Sequence, residues 1–155
     1  MQMPTPTAEH ERFALLEGHW EGEERIHPTP FDPAGGPAHG TWRTRIALGG
    51  FCLIADYEQR RHGAVNFEGH GVYGWDARSR CYTLHWFDST GIEHGEPAFG
   101  SWADDRLTLM HETTHVGHSR HVYEVADGAF RFRLEHSPDG SGWLTFLEGE
   151  YRRAG

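Results

Sequence analysis

The chain has 155 residues, 37% hydrophobic and 13% aromatic, which suits one domain around one core. Its formal net charge is −9 and every basic residue is Arg, a balance that opposes binding to nucleic acid or to an anionic membrane. No stretch is apolar enough to span a bilayer, and Met1 to Glu9 lacks a basic-then-apolar signal pattern, so the expected compartment is the cytoplasm.

The first predicted element is a short helix, capped by Thr7, carrying Phe13, Leu15 and Leu16, and stopped at Gly18. Residues 1–6 ahead of it are expected to be flexible. A first strand follows at 19–27, with Trp20, Gly22, Glu24 and Ile26 on one face. After a Pro- and Gly-rich loop from Pro28 to Gly40, residues 41–48 alternate Trp42, Thr44, Ile46 and Leu48 on one face. Further strands are predicted at 51–60, 67–75, 81–88, 92–102, 106–115, 121–126, 129–136 and 142–152. Turn residues separate them, among them Asp104-Asp105, Asp127-Gly128 and Asp139-Gly140. Ten evenly spaced strands without intervening helices predict an all-β, antiparallel up-and-down barrel over residues 1–155, because closure removes both sheet edges. Cys52 and Cys81 are too few for a disulfide framework and are expected to be buried free thiols.

Three constellations carry candidate chemistry. His111-Glu112-Thr113-Thr114-His115 matches the H-E-x-x-H zinc motif, and His121 stands at the third-ligand spacing. That motif needs a helix. Here Thr113-Thr114 favours a strand, Leu107 and Leu109 alternate, and Asp104-Asp105 reads as a hairpin turn. On a strand His111 and His115 stand about 13 Å apart and cannot share one ion. The remaining metal alternative is His115, His118 and His121 converging around a hairpin on zinc or nickel; the simpler reading is solvated histidines, with no resident metal. A second constellation, Tyr82, Leu84, Trp86 and Asp88, shares one face of a strand. Inside a barrel it offers stacking surface and one polar anchor, with Arg43, Arg45 or Arg60 as ion partners for Asp88. The alternative is that Asp88 caps the turn formed with Ser89, Thr90 and Gly91. Third, Glu24 shares the face of Trp20, with Tyr57 expected in the same interior. A carboxylate there either faces ligand or pairs with an inward Arg.

Gly18-His19-Trp20, opening a strand after a short helix, resembles the Gly-x-Trp signature of the lipocalin-like (calycin) superfamily. The resemblance implies that Trp20 plugs one barrel end with an Arg of the last strand over it, and it offers Arg152, or its neighbour Arg153, for that place. Leu15-Leu16-Glu17-Gly18-His19-Trp20-Glu21-Gly22-Glu23, Phe67-Glu68-Gly69-His70-Gly71, Gly74-Trp75-Asp76, Tyr82, Trp86-Phe87-Asp88-Ser89 and Gly100-Ser101-Trp102 resemble a bacterial family known as domain of unknown function 1579. That implies a lipocalin-like barrel and no particular reaction. Nitrobindin-like proteins share the architecture and bind ferric haem through a His near the C-terminus. Here the stretch Gly142 to Arg153 has no His, and the nearest is His136. No cofactor is therefore expected, haem and zinc being the alternatives.

The leading expectation is a barrel that binds a small apolar or aromatic ligand, lined by Glu24, Tyr57, Tyr82, Trp86 and Asp88. One alternative is an enzyme using inward carboxylates or a His-bound metal. The other is an interaction module with a side-chain-filled barrel. The expected partner is a small molecule, without nucleic acid or membrane, and a homodimer is compatible with this reading.

Overall fold

The computed structural model describes residues 1–92, 96–113 and 117–154. Helix α1 (Ala8–Glu11) runs straight into a 3-10 turn at Arg12–Leu15, so only the first turn of the predicted helix is α-helical. Ten strands follow: β1 (Gly18–Ile26), β2 (Gly36–Ala47), β3 (Cys52–Arg61), β4 (Ala64–Asp76), β5 (Cys81–Asp88), β6 (Ala98–Ala103), β7 (Arg106–Thr113), β8 (Gly117–Ala126), β9 (Ala129–Ser137) and β10 (Leu144–Arg153). Each pairs antiparallel with its sequence neighbour, and β1 pairs with β10 to close the barrel. The predicted architecture is thus the observed one.

The differences lie at element edges. Strands β2, β4 and β8 start several residues earlier than the alternation suggested, while β6 starts later, at Ala98. Leu48 leaves its strand for a 3-10 turn and is exposed. Cys52 and Cys81 are free, as expected, but only half-buried. The hairpin turns follow local chemistry. His62-Gly63 and Asp127-Gly128 both have positive φ, at 53° and 78° and at 46° and 73°, the backbone that matches two-residue hairpins to strand twist.

Topology sorts the connections to two ends. The N-terminal helix and the β2–β3, β4–β5, β6–β7 and β8–β9 turns lie at one end; the loop 27–35, the β3–β4 and β9–β10 connections, and the last residues of β5 and β7 lie at the other. The first end is plugged. Trp20 is 1% exposed, donates from Nε1 to the Leu16 carbonyl at 3.1 Å, and meets Phe130 edge-on. Phe13 packs against Tyr82 there. In the barrel's middle Trp42 is the hub, with Tyr57, Phe132, Phe130 and Tyr151 ring centroids 4.6, 5.4, 6.1 and 6.1 Å away. The void left among Leu16, Trp42, Leu53, Tyr73, Tyr123 and Phe130 is about 10 Å³, room for no more than one water. On the outer wall of β7–β9, Glu124 and Glu135 interleave with Arg106, Arg120 and Arg133, covering buried Val122.

Candidate functional site

In the far half of the barrel the interior changes character. Glu24 faces inward from β1 and is 4% exposed. Its Oε1 accepts from Tyr57 at 2.7 Å and from Tyr151 at 2.5 Å; its Oε2 accepts from Tyr57 and from Gln59 Nε2, both at 2.8 Å. Gln59 Oε1 in turn accepts from Asn66. No Arg is among these partners, so the expected inward ion pair is replaced by a neutral-donor network. Glycines make the space: a Cβ at Gly40 would sit 1.9 Å from Glu24 Oε1, and one at Gly149 would sit 2.4 Å from the Tyr151 hydroxyl. Burial pushes the Glu24 pKa above the ordinary carboxylate value, only partly offset by the donors from Tyr151, Tyr57 and Gln59. Burial and the adjacent carboxylate drive both tyrosine hydroxyls well above their usual value. The group can hold a proton in a water-poor interior.

Opposite stands Trp86 on β5, half-buried, its ring 6.2 Å from Trp42, 6.5 Å from Tyr57 and 6.0 Å from His121. Gly69 makes room for it, since a Cβ there would lie 2.1 Å from the indole. Trp86 Nε1 donates to Asp88 Oδ2 at 3.0 Å. Asp88 Oδ1 accepts from the Thr90 amide at 3.0 Å and hydroxyl at 2.5 Å. Asp88 therefore both caps the turn and orients the indole. Arg43, one of its expected partners, lies across from Asp56 on the outer face. Phe67, Leu134 and Leu147, also inward and half-buried, complete the wall.

Tyr82 lies away from this region. Its hydroxyl donates to the Glu9 carbonyl at 2.7 Å, tying the N-terminal helix to the plugged end. Arg152 does not cover Trp20. It points outward to Glu150, and Arg153 stacks instead, its guanidinium carbon 4.3 Å from the Trp20 ring centroid. Strand alternation explains the correction: Tyr151 and Arg153 face in, so Arg152 must face out. Gly18, the other signature residue, has φ 142° and lies against Arg153.

His118 and His121, two of the three candidate hairpin histidines, do not converge. His118 and His121 are three residues apart on β8 and so face opposite sides: His121 packs inside against Phe132 and Trp86, while His118 lies by Gly140 outside. His115 lies outside the described residues. His111 is on a strand, as predicted, and the side chain of Glu112 is not described. What spacing missed is that His111 and His121 meet on the inner face, ring centroids 6.2 Å apart. Pairing across β7 and β8 was the available signal, obscured by the shorter β8 read from the sequence. Strand β10 carries no His, and the His136 ring packs on Phe146 at 5.3 Å.

A broader groove of about 590 Å³ runs over the outer wall of β2–β5, past Arg43, Asp56, His70 and Phe87. It is open, and His70 and Asp56 pair there at 2.7 Å.

No curated protein matches the chain. Among solved structures it is similar to the crystal structure of Rv2717c from M. tuberculosis, with TM-score 0.73, 15% identity, and 96% of this chain and 99% of that one covered. That likeness is one of fold. A family model described as protein of unknown function (DUF1579) matches residues 5–153. The chain therefore belongs to the DUF1579 family, with the closed ten-stranded barrel as its architecture.

Proposed function

We propose that this protein is a binding barrel for a small apolar or aromatic molecule, which enters at the far end and lies against Trp86. The observation that carries this reading is the inner wall of the far half, where apolar side chains stand beside a buried polar network. The plugged half is packed to a residual void of about 10 Å³. In the far half, inward Phe67, Trp86, Leu134 and Leu147 are only partly buried, beside the buried Glu24 network. Apolar walls with a few convergent polar groups are the usual make-up of a ligand site. Tyr57 and Glu24 form the polar floor, Trp86 the stacking face, and Asp88 sets the angle of that face.

A second reading, an interaction module with a filled barrel, draws on the dense packing around Trp42. The two separate by titration. Naphthalene-type probes should bind wild type at one per chain, and Trp86→Ala should weaken that binding at least about tenfold, while Tyr82→Phe leaves it unchanged. No binding, or binding indifferent to Trp86→Ala, would favour the filled barrel.

A further inference from the structure

We infer that the far half takes an uncharged aromatic molecule bearing a hydroxyl group, of the phenol or naphthol class, whose hydroxyl pairs with His121 Nδ1, and that it refuses the carboxylate analogues. This rests on the reading that an aromatic molecule lies against Trp86, and it adds the chemistry of that molecule.

The first observation is His121 itself. It faces inward from β8, 7% exposed, and stands opposite Leu109 and Leu134 in the two strand registers. The Trp86 and Phe132 rings lie 6.0 and 5.9 Å from it, so it belongs to the same wall as Trp86 and Leu134. Its Nδ1 is buried without a hydrogen-bond partner among the described residues. A buried polar atom left unpaired is costly, and a ligand that supplies the missing bond is favoured for that reason. Burial, with His111 beside it, pushes the His121 pKa down to about 3, so the ring is neutral. A neutral imidazole nitrogen donates or accepts according to its tautomer, and a hydroxyl can answer either.

The second observation is that the neighbouring polar groups are already taken. Glu24 accepts from Tyr57, Tyr151 and Gln59, Gln59 Oε1 accepts from Asn66, and Trp86 Nε1 donates to Asp88. Trp42 Nε1, another buried nitrogen here short of a full hydrogen bond, is turned to the Tyr151 hydroxyl, which already donates to Glu24. A hydroxyl on a ligand beside Trp86 therefore finds its partner at His121.

The third is the sign of the charge. The chain has no Lys. Arg43 and Arg45 are exposed on the outer face, Arg120 and Arg133 engage Glu135, and Arg61 is held by Asp32 and the Gly35 carbonyl. A carboxylate brought in beside Glu24 meets no guanidinium among the described residues, and a buried charge without a counterion is strongly unfavourable.

The test compares naphthalene, 2-naphthol and 2-naphthoate by calorimetric titration at neutral pH. Wild type is expected to bind 2-naphthol at least about tenfold more tightly than naphthalene, and 2-naphthoate more weakly than either. In His121→Phe, which keeps a ring and removes the nitrogen, the preference for 2-naphthol over naphthalene should vanish. If that variant fails to fold, nitrogen-15 NMR of the wild-type imidazoles decides: the His121 Nδ1 resonance should shift with 2-naphthol well beyond any shift with naphthalene. Naphthalene bound as tightly as 2-naphthol, 2-naphthoate bound as tightly as naphthalene, or a preference that survives His121→Phe overturns this inference and leaves the aromatic site standing. Failure of all three probes to bind wild type overturns the aromatic site and this inference with it.

Discussion

Glu24 and Glu135 are both buried, at 4% and 5% exposure, yet their surroundings act in opposite senses. Burial raises the Glu24 pKa, so between the unfolded and folded values the native state binds more protons, and stability falls as pH rises through that window. Glu24→Gln should flatten this decline, whereas Glu24→Ala should cost about 2–4 kcal/mol by stranding the Tyr57, Tyr151 and Gln59 donors. For Glu135, burial pushes the pKa up, but hydrogen bonds from Arg133 and Arg120 outweigh it and hold the group below the usual range. Its contribution is present above the unfolded value and is lost as pH falls through the folded one. Glu135→Gln should remove that acid-side loss while lowering stability at neutral pH. Urea denaturation across pH measures both. At the plugged end, Trp20→Ala should cost about 3–5 kcal/mol. Arg153→Ala should cost less, and Arg152→Ala nothing measurable, since only Arg153 touches the indole; equal losses at the two arginines would contradict the stacking.

Strand β5 shows how much an element reveals through alternation and how much it hides. Its period of two correctly put Tyr82, Leu84, Trp86 and Asp88 on one face, but it could not say that the face runs from the plugged end at Tyr82 to the far end at Asp88. Depth along a strand depends on which end is closed, and that is set by the N-terminal helix contacting Tyr82. Glycines hide likewise. Gly69, Gly40 and Gly149 read as ordinary strand interruptions, whereas they are spaces for Trp86 and Glu24 that only cross-strand register discloses. Gly69→Ala is therefore expected to push the indole aside, costing about 1–3 kcal/mol as overpacking does. It should also weaken aromatic-probe binding as much as Trp86→Ala does. A Gly69→Ala protein with unchanged stability and binding would sink that placement.

For the molecule as a whole, ten short strands, frequent turns and one capped N-terminal segment sufficed to name a closed barrel, because each strand pairs with its chain neighbour. The Glu24 network did not follow from the same reading, since it joins β1, β3 and β10 across 127 residues of sequence separation. With a net charge of −9, the protein should pass through a duplex-DNA column at physiological salt; retention would contradict that. Ligand entry at the far end is tested most directly by fluorine NMR of protein labelled with 5-fluorotryptophan, which reports on all six tryptophans. On adding an aromatic ligand, the Trp86 resonance should shift strongly and Trp42 weakly, while Trp20 and Trp102 stay in place. Shifts at Trp20 or Trp102 with Trp86 unmoved, or no shift at any tryptophan, would contradict a site in the far half of the barrel.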